Sequence, residues 1–187
     1  WGKKFGSTGI DFANCVKTDS GDNIILAGHF AGTVVVDGVT MTNAGSTDGY
    51  VMSLNSSGTL SWVKTFGSSG ADTVNYVSVD ASGNVYIGGS FSSTINLGGT
   101  NLVPAGSTDC YIAKYSSAGA HVWSTKFGGT GTDTLNGITA TTNGLIVFGS
   151  YAGTVNFGLG SVTNAGGLDV FVASYTNGAA QWEEGFG

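Results

Sequence analysis

The chain has 187 residues, a formal net charge of −6 and an apolar fraction of 41%, and its six basic residues are all lysine. This apolar content with so little net charge excludes disorder, and the lack of arginine or a basic stripe argues against nucleic acid and anionic membrane surfaces as partners. No run of about 18 apolar residues is present, so no insertion into a membrane is predicted.

In chain order, four segments of the first 66 residues predict strands, over residues 12–18, 23–30, 49–55 and 60–66. Turns rich in Gly, Asn, Asp and Ser separate them. The second segment has apolar residues on both faces, which predicts burial on both sides. Residues 33–47 exceed what four strands need, and they predict an extra hairpin or a long loop on one rim.

One motif, W-x-x-x-F-G, ends this unit and recurs along the chain at intervals of 61, 61 and 59 residues. A fixed period of this length indicates a repeat architecture. We therefore divide the chain into repeat 1 (1–61), repeat 2 (62–122), repeat 3 (123–181) and residues 182–187, which either begin a fourth repeat or complete a neighbouring blade. We expect a repeat core formed by the motif aromatics Trp1, Trp62, Trp123, Trp182, Phe5, Phe66, Phe127 and Phe186.

The second repeat follows the first almost position for position, and the third is two residues shorter. One residue is missing from its first hairpin turn, at 142–144, and one from its last, at 176–178. Loops absorb length changes and strands do not, so deletions confined to these turns support the predicted division into strands and turns.

The predicted fold is all-β: three antiparallel four-stranded blades of a β-propeller, since no helical period is present. Closed propellers have about four to eight blades, so three blades predict a partial ring or one completed by oligomerisation. A free strand edge pairs with whatever strand is offered, which favours self-association through edge strands. A β-solenoid is the alternative fold.

The order of short motifs resembles the bacterial SBBP-type β-propeller repeat. The pattern is W-x-x-x-F-G-G/S-x-G-x-D, then G-N-V-Y-I-G-G-S-F, then G-S-T-D-x-Y, then S-x-x-G-x-x-x-W, and residues 62–128 match it best. The resemblance covers the whole chain. It implies a propeller fold, tandem repeats and a secreted or cell-surface protein, and it implies no catalytic residues.

Residues that could carry catalysis are sparse and are not repeated. His29 and His121 are the only histidines, and other residue types occupy the equivalent positions of the other repeats. No G-x-S-x-G motif is present, and the only glutamates are Glu183 and Glu184. We therefore predict no enzyme and no cofactor. Cys15 and Cys110 lie at different repeat positions, which leaves both a disulfide and two free thiols open.

Carboxylates recur at fixed positions in the repeats. One set, Asp11, Asp72 and Asp133, lies in G-x-D turns, and we interpret these side chains as caps of backbone N–H groups in their own turns. The alternative is calcium binding, because hard cations prefer several carboxylate and carbonyl oxygens. Asp19 and Asp22 form a denser cluster in another turn and are further weak calcium candidates.

These observations predict a non-enzymatic structural or interaction module, extracellular or at the cell surface, that self-assembles or belongs to a longer repeat array. The alternative is a carbohydrate-binding, lectin-like propeller with sites in residues 33–47 and the equivalent loops. Those loops hold one aromatic residue, Phe157. The expected partners are further copies of the chain, with a glycan or a surface protein as the alternative.

Overall fold

The structure, a computed structural model, describes residues 1–187 and contains strands and turns but no helix. In the first sheet, β1 (Asp11–Thr18) and β2 (Ile24–Phe30) are followed by a small hairpin, β3 (Thr33–Val36) and β4 (Val39–Thr42). The sheet is completed by β5 (Asp48–Leu54) and β6 (Leu60–Phe66), in the order β1-β2-β5-β6.

The second and third sheets repeat this topology. The second consists of β7 (Thr73–Val79), β8 (Val85–Phe91), β9 (Asp109–Tyr115) and β10 (His121–Phe127). The third consists of β11 (Thr134–Thr141), β12 (Gly144–Tyr151), β15 (Asp169–Thr176) and β16 (Ala179–Phe186), with the small hairpin β13 (Thr154–Asn156) and β14 (Ser161–Thr163) inserted after β12. Neighbouring strands of each sheet are antiparallel.

The all-β prediction of antiparallel four-stranded blades is confirmed, and the predicted strands of the first repeat agree with the observed ones to within one residue at each end. The β-solenoid alternative is wrong, because the strands pair within three separate four-stranded sheets and no sheet continues from one unit into the next. The sheets do not close into a ring. The motifs that begin at Trp62, Trp123 and Trp182 lie in the last strands of the three sheets, so residues 62–66 complete the first sheet although the sequence repeat restarts at Trp62. Residues 1–6 form no strand.

The small hairpins differ among the three units for a local reason. In the first unit, Asp37 and Gly38 both have positive φ (49° and 82°), which is the two-residue turn that suits a hairpin. In the third unit, the Asn156 side chain accepts the Gly158 N–H and ends the ladder early. Asn96 does the same in the second unit, where the hairpin is reduced to one bridge.

The first strands of the three sheets lie side by side, as the inner strands of propeller blades do. Each carries a β-bulge at the same asparagine position, occupied by Asn14, Asn75 and Asn136. The Asn14 amide donates to the Val74 carbonyl, 2.9 Å away in the neighbouring strand. The repeated bulge therefore links the first two inner strands.

Two smaller expectations are also settled by the structure. Cys15 and Cys110 are both free, so no disulfide joins them. The structure has no helix of a length and apolarity that could cross a membrane.

Candidate interaction surfaces

The tryptophans of the first three motifs, Trp1, Trp62 and Trp123, pack on the last hairpin of the sheet that follows them in the chain. The indole of Trp62, in the first sheet, packs on Gly119 in the last hairpin of the second sheet, where a Cβ would lie 2.7 Å from the ring. Its N–H donates to the Ser117 carbonyl at 3.0 Å. Trp1 makes the same contacts with Gly58 and with the Ser56 carbonyl, at 2.9 Å.

The phenylalanine four residues later enters the core of that next sheet. Phe66 is 4% exposed and packs on Tyr115, with ring centroids 5.8 Å apart. Phe127 is 1% exposed and lies among aromatic rings of the third sheet. Phe5 lies half-buried against Tyr50 of the first sheet, at 6.4 Å. We call this tryptophan and phenylalanine pair the docking motif.

The docking motifs at the two ends of the chain are more exposed than the predicted repeat core requires. Trp1 is 70% exposed, and Trp182 and Phe186 are 44% and 57% exposed. The physical reason is that the structure contains no fourth sheet for Trp182 and Phe186 to dock on. Residues 1–6 cover the first sheet as residues 62–67 cover the second sheet. Unlike residues 62–67, however, residues 1–6 do not belong to a sheet.

The glycines after Phe66, Phe127 and Phe186 make room for buried carboxylates. A Cβ at Gly67 would lie 2.0 Å from the Asp48 carboxyl carbon, and one at Gly128 would lie 2.5 Å from that of Asp109. Both aspartates are buried, and each has one side-chain oxygen without a hydrogen-bond partner. Burial raises the pKa of Asp48, the Ala44 N–H opposes that rise, and the charge of nearby Asp72 adds to it.

The first set of calcium candidates is engaged in turns. Asp72 accepts the N–H groups of Ser68 and Ser92, which lie before and after the first hairpin of its sheet. Asp11 and Asp133 make the equivalent bonds in their own units. Burial raises the pKa of Asp72 and of Asp133.

The second set lies in the hairpin between β1 and β2. Asp19 accepts the backbone N–H groups of Gly21 and Asn23, and Asp22 has a positive φ of 59°. The structure brings no three His, Cys, Asp or Glu side chains together as a metal site. Calcium binding by these aspartates stays a prediction.

The histidines lie apart from any acid–base constellation. Nδ1 of His29 is 3.2 Å from the Asn14 amide nitrogen, and Nε2 of His121 is 3.1 Å from the Ser124 hydroxyl. Neither ring is hydrogen-bonded to a carboxylate. Phe157, the aromatic residue of the predicted lectin loops, is 2% exposed and packs on Phe171, so it offers no surface to a sugar.

Two apolar surfaces remain open at opposite ends of the stack. The first sheet carries a groove of about 440 Å³, the open groove, whose lining includes Phe5, Phe12, Leu26, Phe30, Val34 and Tyr50. The third sheet carries the free face, formed by the exposed side chains of Phe148, Val170, Trp182 and Phe186.

The free face is equivalent to surfaces that are covered elsewhere in the molecule. Its Val170 corresponds to Cys110 of the second sheet, which is fully buried against the third sheet. Its Phe148 corresponds to Gly88, which approaches Leu135 of the third sheet so closely that a Cβ would lie 2.4 Å from that side chain. The free face therefore presents the kind of surface on which a following sheet packs.

A cleft of about 570 Å³ between the second and third sheets was missed by the sequence reasoning. Tyr86 and Trp123 meet in it edge to face, with ring centroids 6.1 Å apart. Lys114 Nζ lies 4.8 Å from the centre of the Tyr86 ring and 3.5 Å from the Asp80 carboxylate.

The charges in this cleft are compensated. Burial alone would lower the pKa of Lys114, but bonding to Tyr86 and the charge of Asp80 outweigh it, and the pKa is raised. Burial alone would raise the pKa of Asp80, but hydrogen bonds from Asn84 and Ser82 and the charge of Lys114 hold it below its usual value. The lysine and the aspartate are therefore both charged at neutral pH.

Comparisons with known proteins support the repeat architecture. No family model matches the chain. An uncharacterized WD repeat-containing protein, L264, of Acanthamoeba polyphaga mimivirus is 27% identical to it over 94% of the chain. The chain spans 15% of the length of that relative. WD repeats fold as four-stranded propeller blades, so this distant relative agrees with the blades seen here, and the likeness to SBBP-type repeats stays a prediction.

Proposed function

We propose that the chain is a non-enzymatic, extracellular or cell-surface interaction module whose end surfaces bind another sheet of the same kind. The observation that carries this proposal is the repeated docking motif. Three copies lie on a neighbouring hairpin glycine, and the fourth, Trp182 and Phe186, projects from the free face. The composition and the SBBP-like motifs support the extracellular setting.

The occupant we assign to the free face is the open groove of a second copy. At each of the two internal interfaces, a surface equivalent to the free face packs on a surface of the next sheet that is equivalent to the open groove. One copy of the chain therefore carries both partners of such a contact. Such contacts between unlike surfaces are heterologous, and they close into a ring or extend as a filament. Two copies would supply six sheets, a number within the range of about four to eight for closed propellers.

Residues 1–6 set the condition for this association. Trp1 and Phe5 occupy the site that the docking motif of a second copy would use. Lys3 holds the segment in place through Asp37, at 2.5 Å, and through the Gly58 carbonyl, at 2.6 Å. An incoming copy must displace residues 1–6 from the first sheet. Its own docking motif, Trp182 and Phe186, would take their place and is attached to a complete sheet.

The test is the mass of the chain in solution, measured by light scattering over a concentration series. The double variant Trp182→Ser/Phe186→Ser should weaken association by about thirty-fold or more, because buried aromatic anchors cost about 2 kcal/mol or more when truncated. The same change at the other end, Trp1→Ser/Phe5→Ser, should strengthen association, because it weakens the competing segment.

Val103→Ser removes an exposed apolar side chain outside both end surfaces and is the matched control; it should change nothing. The proposal fails if the two double variants shift the mass in the same direction, or if the control behaves like either of them.

A further inference from the structure

Three departures from the repeat converge on the cleft between the second and third sheets. The first is the pair Tyr86 and Lys114, whose equivalents in the first sheet are Ile25 and Ser53. The pairing of β8 with β9 brings Tyr86 and Lys114 opposite each other, and both line the cleft. Ordinary packing at this position thus needs neither an aromatic ring nor a charge.

The second departure is the shortening of two turns. The third unit lacks one residue in the turn between β11 and β12 and one in the turn between β15 and β16, relative to the second unit. Asn143 of the former and Asn177 of the latter line the cleft. Asn177 and Gly178 have φ of 52° and 82°, a two-residue turn in place of the longer one that includes Gly119 in the second sheet.

The third departure follows from the second. The indole N–H of Trp123 is buried and has no hydrogen-bond partner, whereas Trp1 and Trp62 each donate to a hairpin carbonyl. The shortened hairpin no longer brings that carbonyl within reach. No cavity is found at the corresponding position between the first and second sheets, so the opening is specific to this interface.

We infer that this cleft binds a neutral saccharide of about one or two sugar units. Its volume is within the range of about 300–1,000 Å³ of small-molecule sites. The partly exposed Trp123 indole supplies an apolar wall against which the C–H face of a sugar can pack, and the buried Tyr86 ring supports it edge to face. The side-chain amides of Asn143 and Asn177 are exposed and make no hydrogen bond within the protein, so they are free to bond hydroxyl groups.

The charge balance decides which ligand chemistry fits. Lys114 is the only cation that lines the cleft, and Asp80 neutralises it at 3.5 Å. An acidic sugar or a phosphate would have to compete with that carboxylate for the lysine. A purely apolar ligand would leave the amide and hydroxyl rim of the cleft without hydrogen bonds, which is costly when the rim is covered. A ligand that is neutral and rich in hydroxyl groups satisfies both conditions.

The experiment follows the indole N–H resonance of Trp123 by NMR during titration with methyl glycosides of glucose, mannose, galactose and N-acetylglucosamine, and with cellobiose. We expect at least one of these probes to shift the Trp123 resonance saturably. The double variant Tyr86→Ile/Lys114→Ser installs the residue types that the first sheet carries at these positions, Ile25 and Ser53. Its affinity should fall by about ten-fold or more, a difference that the titration resolves readily.

Val103→Ser is the matched control and should bind as the unaltered chain does. The inference is overturned if none of the neutral probes shifts the resonance, or if the double variant binds as well as the unaltered chain. It is also overturned if methyl glucuronide or inorganic phosphate binds more tightly than every neutral probe. Repeating the titration in the Trp182→Ser/Phe186→Ser background separates this site from the end surfaces, because the cleft lies within one copy.

Discussion

Replacing Phe127 with alanine tests whether the docking motif holds neighbouring sheets together. The ring is 1% exposed and lies 5.6 Å from Phe157, 5.4 Å from Phe171 and 6.1 Å from Tyr175, measured between ring centroids. Truncation of a buried phenylalanine costs about 3–5 kcal/mol, and the strands around this site limit collapse of the hole. We therefore expect a loss of about 4 kcal/mol, or roughly 8–16 °C in Tm for a chain of this length.

Thermal and urea unfolding followed by circular dichroism would measure this loss. Val122→Ala, an exposed position in the same strand, is the matched control and should change stability by no more than about 0.5 kcal/mol. Because stacked repeats are stabilised by their nearest neighbours, the third sheet should unfold before the other two in the Phe127 variant. A loss no larger than that of the control would refute the role we assign to the motif.

Three further predictions concern the turns, the buried carboxylates and the thiols. Gly119→Ala should destabilise the fold by more than Gly38→Ala as measured by urea unfolding, because both glycines have positive φ but only the former has an indole within 2.7 Å of the new Cβ; equal losses would contradict the indole contact. Burial raises the pKa of Asp48 above its ordinary 3.8, so the folded chain holds this proton more tightly than the unfolded chain does. The group's contribution to the free energy of unfolding is therefore complete at low pH and is lost as pH rises from about 3.8 through the raised pKa. Asp48→Asn should flatten this part of the pH dependence, and an unchanged slope in urea midpoints across that range would contradict the assignment. Burial raises the pKa of the Cys110 thiol well above its usual value, so a thiol reagent should modify half-buried Cys15 in the folded chain and Cys110 only on unfolding; equal rates would contradict the burial.

The period of the sequence was sufficient to predict the strands and their order, because each strand-turn-strand unit is encoded locally. The tryptophan spacing marked the repeat, and the turn residues marked the strand ends. The sequence could not show what Trp62 contacts, since its hairpin partner Ser117 lies 55 residues away in the next sheet. The exposure of Trp182 was missed for the same reason, because a motif carries no record of whether a following sheet is present.

The cleft shows a different limit of sequence reasoning. The two missing residues near Asn143 and Asn177 were visible in the sequence, and so were the unrepeated Tyr86 and Lys114. Each was unremarkable by itself, since turns tolerate deletions and strands tolerate substitutions. Only the packing of the second sheet on the third places all of them around one opening. In a repeat protein, positions that depart from the repeat are therefore the first places to examine for a specific function.

The indole N–H resonance of Trp182 tests most directly whether the free face binds a second copy through the docking motif. Recorded over a concentration series, this resonance should move toward the position of the Trp62 resonance, because the docked indole would donate to a backbone carbonyl as Trp62 does at 3.0 Å. The Trp62 and Trp123 resonances should stay unchanged, whereas the Trp1 resonance should change as residues 1–6 are displaced from the Ser56 carbonyl. A Trp182 resonance that does not depend on concentration, or a shift shared equally by all four indoles, would contradict the account.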